Sequence, residues 1–278
     1  MAKFDLKNKS VILTGASGGI GSELAVAFAR RGARLTLSGR NREALEKTAA
    51  RVKALGAEAR VVPADVTRRE EVEALVEKTV KETGGLDVMA LAAGYGVLGS
   101  VEKISLETWR QQMDVNFWGV LHGFYAALPH FLKQGAGRYV LMNSLSGRMG
   151  LPLSAPYAAS KFALWGFTDC VRAELAEKNI GLLAVYPYFV KTAFQGHIQS
   201  PDFRVPADLA GRLFGQSPAK LGEQIARGVE KNREEILCTA LGKIGTRVAP
   251  LSYHAAEWVR RLLLPLARKI LAGKKESR

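Results

Sequence analysis

A single domain built on a doubly wound parallel α/β sheet, with helices on both faces, is the fold class this sequence predicts. Three observations point to it. Short apolar runs alternate with stretches of helical periodicity from Ser10 to Tyr186, the pattern of crossover units that pair strands in parallel. The first apolar run ends in a glycine-rich turn that opens a helix. At 278 residues and 47% apolar content the chain is long enough for one large core.

The elements follow in order. Ser10–Thr14 is the first strand, ending at Gly15, and a helical pattern then runs through Arg31 and stops at Gly32. Leu35–Ser38 is a strand, Arg42–Leu55 a helix, Arg60–Pro63 a strand and Arg69–Thr83 a helix. Val88–Ala92 is the fourth strand. Leu106–Leu132 reads as one long helix carrying Asn116 among apolar residues. Arg138–Asn143 is a strand ending at Ser144, Ser154–Glu177 a helix carrying Tyr157 and Lys161, and Leu182–Tyr186 a strand ending at Pro187. Residues 1–235 are expected to form a Rossmann-type dinucleotide-binding and catalytic domain, with a substrate loop at about 188–218. Residues 236–278 are expected to form a basic, amphipathic, helical C-terminal extension.

Thr14-Gly-Ala-Ser-Gly-Gly-Ile-Gly21 lies between a strand and a helix. A helix N-terminus presents unpaired N–H groups and a partial positive charge, and glycines let the backbone approach a pyrophosphate closely. About 20 residues later, an acid at the end of the second strand would bind the ribose hydroxyls of NAD. This chain has Leu37-Ser-Gly-Arg-Asn-Arg42 there instead, with two arginines and no acid. A guanidinium suits a 2′-phosphate, so NADP(H) is preferred, NAD(H) is the alternative, and Arg40 with its neighbour Asn41 are candidate contacts. Downstream, Tyr157-Ala-Ala-Ser-Lys161 sets a phenol and an ammonium one helical turn apart. A neighbouring cation favours phenolate, so Lys161 is expected to lower the Tyr157 pKa.

Together these motifs resemble the short-chain dehydrogenase/reductase family, in its compact single-domain form. The matching residues are the glycine turn, Asp65-Val66, Asn116, Ser144 lying 13 residues before Tyr157, Lys161, and Pro187 with Thr192. The resemblance spans about residues 5–195. It implies that Gly15, Ser17, Gly19, Ile20 and Gly21 surround the cofactor phosphates, that Asp65-Val66 contacts adenine, and that Thr192 meets the carboxamide. Thr14, Gly18, Ala93, Gly94, Pro187 and Val190 complete the implied cofactor contacts. Tyr157 then exchanges a proton with the substrate oxygen, and Lys161 binds the nicotinamide ribose. Ser144 hydrogen-bonds the carbonyl oxygen, and Asn116 holds a relay water. Two departures stand out: Leu91-Ala-Ala-Gly94 replaces the usual Asn-Asn-Ala-Gly, and Tyr188 replaces the glycine after Pro187.

Substrate-facing loops carry Tyr95, Leu151, Tyr188 and Phe194 beside Ser144 and Tyr157, an apolar lining that favours a lipophilic ketone, aldehyde or alcohol. The alternatives are an NAD-dependent secondary-alcohol dehydrogenase and a non-catalytic NADP(H)-binding sensor. Four histidines show no metal spacing, and Cys170 and Cys238 show no motif, so no metal site is expected and a reducing cytoplasm fits. The N-terminus runs straight into a strand, leaving no room for a signal peptide, and no apolar run is long enough to span a membrane. Formal charge is +14, and residues 236–278 hold nine basic residues against two acidic ones. His254–Ala272 has near-helical apolar spacing with basic flanks, which suits packing on the domain or a partner subunit, or peripheral contact with an anionic membrane. A basic tail without a recognition motif implies no nucleic acid. The resemblance implies a homodimer or homotetramer, with the Leu106–Leu132 and Ser154–Glu177 helices pairing across a dimer.

Overall fold

The computed structural model of the chain describes residues 3–187, 190, 199–201, 215–238 and 265. Its strands are β1 (Ser10–Thr14), β2 (Arg34–Ser38), β3 (Ala59–Val61), β4 (Val88–Leu91), β5 (Gly137–Met142), β6 (Ile180–Tyr186) and β7 (Glu235–Leu237). Its α-helices are α1 (Gly19–Ala29), α2 (Arg42–Lys53), α3 (Arg69–Thr83), α4 (Leu106–Met113), α5 (Gly119–Gln134), α6 (Ala155–Glu177) and α7 (Pro218–Glu230). Among the described residues the strands form one sheet in the order β3-β2-β1-β4-β5-β6-β7, and each pairing is parallel.

Every residue of β1, β4 and β5 is buried, as strands covered on both faces require. Side chains alternate between the faces. Along β1, Val11 and Leu13 join a core with Leu24 and Phe28 of α1, Leu45 of α2 and Ile225 of α7. Ile12 points the other way, toward Leu75 of α3, Phe124 of α5 and Leu164 of α6. The chain winds outward from β1 to β3, then returns to the middle and winds the opposite way from β4 to β7. The reversal lies between β1 and β4, whose register pairs Thr14 with Leu91. Ligands of open α/β sheets bind outside the strand ends at such a switch point.

Leu106–Leu132 is not one regular helix. A π-helical turn, Asp114–Trp118, interrupts it between α4 and α5. One extra residue per turn there shifts the phase of the helix, and the buried Asn116 carboxamide hydrogen-bonds Tyr95 from within that turn. The sequence reading also left out α7 and β7. β7 runs past residue 235 into the segment assigned to the extension. The amphipathic pattern of His254–Ala272 lies outside the described residues, apart from Pro265. No helix among the described residues is long and apolar enough to cross a membrane. On the helices expected to pair across a dimer, Trp118, Tyr125, Leu132 and Phe162 are exposed.

The Leu91 departure has a packing explanation. Leu91 is fully buried, and a Cβ on Gly123 of α5 would land on its Cδ2 and lie 3.0 Å from Met89 Cε. Gly123 therefore opens the space that Leu91 fills, and methyl packing stands where asparagine hydrogen bonds are usual. Burying such a side chain stabilises the fold by about 1.5–3 kcal/mol.

Candidate active site

The site grows from the end of β1. Gly15 has φ +70°, and a Cβ there would sit 2.7 Å from Ala93 N, so only glycine lets the first strand turn against the end of β4. A Cβ on Gly21 would fall on the Gly15 carbonyl oxygen. Thr14 locks the same junction from its side chain: Oγ1 accepts from Ala92 N at 3.2 Å and Ala93 N at 3.4 Å. Gly18 is the N-cap of α1, with no side-chain cap and no acid in the first turn, so the first N–H groups face outward beside Ser17, Gly19 and Ile20.

At the neighbouring strand end, Arg40 is exposed and makes no ion pair among the described residues. Ser17 Oγ lies close to Gly39, at 3.3 Å from a Cβ built there. Asn41 is otherwise engaged: its Oδ1 accepts from Ala44 N at 3.0 Å and caps α2. Asp65 Oδ1 accepts from Thr67 N at 2.9 Å and Thr67 Oγ1 at 2.8 Å, fixing the turn that carries Val66. Val66 is buried against the Cα of Gly119.

The four candidate catalytic side chains come together. Asn116 Nδ2 donates to Ser160 Oγ at 3.1 Å, and Ser160 Oγ donates to the Tyr157 carbonyl at 2.7 Å. A Cβ on Gly94 would be 3.1 Å from Asn116 Oδ1 and 3.8 Å from Lys161 Nζ, so the end of β4, the π turn and α6 meet at one point. Lys161 is buried and donates to Met142 O at 2.8 Å. Ser144 Oγ accepts from Ser146 N at 3.1 Å, which leaves its own proton free to donate, and the Ser144 hydroxyl favours the ionised form of the Tyr157 phenol. Leu145 N donates to Pro187 O at 3.0 Å, holding the Ser144 loop against the end of β6.

The electrostatics differ from the expected acidified phenol. Burial pushes the Tyr157 pKa above its ordinary value, and the Ser144 hydrogen bond offsets only part of that. Lys161 does not reverse it, because its ammonium is turned to the Met142 carbonyl and lies 5.9 Å from the phenol ring centre. Burial also lowers Lys161 itself, to about 8. At Tyr95, burial raises the phenol and the nearby Arg40 guanidinium partly counters it, which places Arg40 and Tyr95 within electrostatic reach of each other.

Val190 is buried and bridges to Gln216. Leu151 is half-buried and accepts from Ser154 Oγ at 2.7 Å. Tyr188, Thr192 and Phe194 lie outside the described residues. Two features of the site are not visible in the sequence, the backbone of the substrate-loop residue Leu153 and the role of Gln112. Leu153 holds φ +66° and its carbonyl accepts from Gly99 N at 2.8 Å; nothing in a leucine announces a left-handed backbone. Gln112 is buried, and its carboxamide bonds the loop after β4. A glutamine in an amphipathic helix, with Gln111 beside it, signals this only by falling on the apolar face.

Residues 9–202 match the family model described as short chain dehydrogenase. The chain belongs to the short-chain dehydrogenase family. Among relatives of this short-chain dehydrogenase, an uncharacterized oxidoreductase of Listeria innocua is 32% identical over 228 residues, covering 81% of this chain and 92% of the relative. An alcohol dehydrogenase of the archaeon Thermococcus sibiricus, solved with 5-hydroxy-NADP, superposes with a TM-score of 0.71 at 27% identity over 82% of this chain and 94% of that one. An NAD+-bound xylitol dehydrogenase gives 0.72 at 26% identity, with coverage of 82% and 94%. The solved neighbours thus hold nicotinamide dinucleotides of both kinds. The uncapped α1 N-terminus and the Gly15–Gly21 turn, where a Cβ would collide with backbone, fit such a ligand. When bound, a nicotinamide cofactor supplies or takes up hydride.

Proposed function

We propose that this short-chain dehydrogenase is an NADP(H)-dependent oxidoreductase that interconverts a lipophilic ketone or aldehyde and its alcohol. The observation that carries the reading is the gathering of Asn116, the Ser144 and Tyr157 hydroxyls and buried Lys161 at the carboxyl edge of the sheet. Two hydroxyl donors converging on one point suit an oxygen on which negative charge grows. Tyr157 is the proton donor in reduction and the acceptor in oxidation. Ser144 fixes the substrate oxygen and the phenol together, and Lys161 supplies positive charge beneath them. The substrate class is read from half-buried Leu151, an apolar residue of the loop between β5 and α6 that also carries Ser144.

Preference for NADP(H) rests on Arg40, exposed and unpaired among the described residues at the end of a β2 that offers no acid. A panel of long-chain, steroid and aromatic carbonyls, followed by consumption of NADPH and of NADH, tests both halves of the proposal. Arg40→Asp is expected to raise the KM for NADPH by about tenfold or more, because a charge-assisted bond of about 1.5–3 kcal/mol is lost and a repulsion added. The KM for NADH should be steady or fall. An unchanged ratio of the two removes Arg40 from the assignment, and no NADPH consumption with any carbonyl defeats the reductase reading.

A further inference from the structure

The segment leaving β4 is extended, and its peptide groups alternate between two edges. On one edge Tyr95 N donates to Asn116 Oδ1 at 3.1 Å, while Tyr95 O accepts from Asn116 Nδ2 at 3.0 Å and from Gln112 Nε2 at 2.9 Å. On the same edge Val97 N donates to Gln112 Oε1 at 2.9 Å. On the opposite edge Leu98 N donates to Gln199 O at 3.0 Å, and Gly96 O accepts from Gln199 N at 3.0 Å. Two carboxamides therefore do for Tyr95–Leu98 what a neighbouring strand would do. Both are fully buried. Gln112 uses both ends of its carboxamide, and among the described residues its hydrogen bonds go to Tyr95 and Val97 alone.

We infer that Gln112 is a positioning residue for substrate. It sets the Tyr95–Leu98 ribbon, whose other edge holds Gln199. The inference deepens the carbonyl-reductase reading and rests on it for its kinetic consequence. Asn116 ties the ribbon to the Tyr157–Lys161 cluster through Ser160, whereas the Gln112 hydrogen bonds among the described residues stop at Tyr95 and Val97. Loss of Gln112 should therefore act on substrate and spare the cofactor.

Two variants separate this role from simple packing. Gln112→Leu keeps the volume and leaves the Val97 N–H buried without a partner, a loss that raises the KM for an aryl alkyl ketone by about tenfold. NADPH affinity, read by fluorescence quenching, should change less than about twofold, and amide exchange at Val97 and Leu98 should quicken. Gln112→Glu keeps the acceptor for Val97 but can donate to Tyr95 only when protonated. Its KM should match the parent protein at low pH and climb as pH rises, a titration that mere loss of packing does not produce. Parent-like KM values for both variants at every pH, or a parallel loss of NADPH affinity, overturn the inference. If the parent protein turns over no carbonyl at all, the reductase reading fails separately, and amide exchange then decides: unchanged protection of Val97 and Leu98 in Gln112→Leu sinks the clamp.

Discussion

Tyr157→Phe is expected to lower kcat for carbonyl reduction by about 10³-fold and leave NADPH binding nearly unchanged. A positioned general acid contributes about 10²–10⁴-fold, and phenylalanine keeps the ring while deleting the one group that exchanges the proton. Among the described residues the hydrogen bond that ties Tyr157 to its surroundings uses its backbone carbonyl, which phenylalanine keeps. Stopped-flow NADPH oxidation, with binding measured in parallel, checks the split. A kcat within tenfold of the parent protein would mean that another group delivers the proton.

Lys161 carries the second large effect, and it depends on pH. Its pKa falls from 10.5 in an unfolded chain to about 8 in the fold, because burial disfavours the cation. Between pH 8 and 10.5 the unfolded chain therefore binds more protons, and native stability rises with pH across that window. At about 1.4 kcal/mol per unit, keeping the cation buried costs folding about 3 kcal/mol below pH 8. Urea unfolding of the parent protein and of Lys161→Met is expected to show the parent gaining on the variant by about that amount as pH rises through the window. A stability difference that is flat across it contradicts the buried cation. The same titration governs activity: kcat/KM for reduction should decline above about pH 8, as the positive charge beneath the phenol is lost. Lys161→Met, which never carries that charge, should be about 10²-fold slower below pH 8, with the gap to the parent protein closing as pH rises above it.

Much of the fold and part of the site could be read from residue spacing. The glycine turn between a strand and a helix, Ser144 lying 13 residues before Tyr157, and Lys161 four after it are local patterns. Local patterns survive in sequence because periodicity and turn chemistry act over a few residues. What stayed hidden depends on partners far away in the chain. The π turn at Asp114–Trp118 owes its place to Tyr95 and Ser160, and no window of apolar spacing registers one extra residue in a helix. Leu91 looked like a lost hydrogen bond until Gly123 was seen across the helix interface. The direction of the Tyr157 pKa was misjudged for the same reason. Helical spacing brings the lysine near, but its ammonium donates to the Met142 carbonyl and burial decides the sign. α7 was legible in principle, from Ser217-Pro218 at its start and Leu221, Ile225 and Val229 on one face, whereas three-residue β7 is too short to carry a pattern.

In the proposed reaction, catalysis turns on a phenol that burial keeps protonated in the free protein and that a bound cationic cofactor should make easier to ionise. Titrating Tyr157 itself, by NMR of isotope-labelled tyrosine with Tyr157→Phe to assign the signal, examines that directly in the free protein and with NADP+ bound. The phenol is expected to hold its proton beyond its ordinary pKa of 10.0 in the free protein, and to release it about one unit or more lower once the cationic nicotinamide ring lies alongside. A phenol that ionises below 10 in the free protein, or one whose titration the cofactor leaves in place, would contradict it.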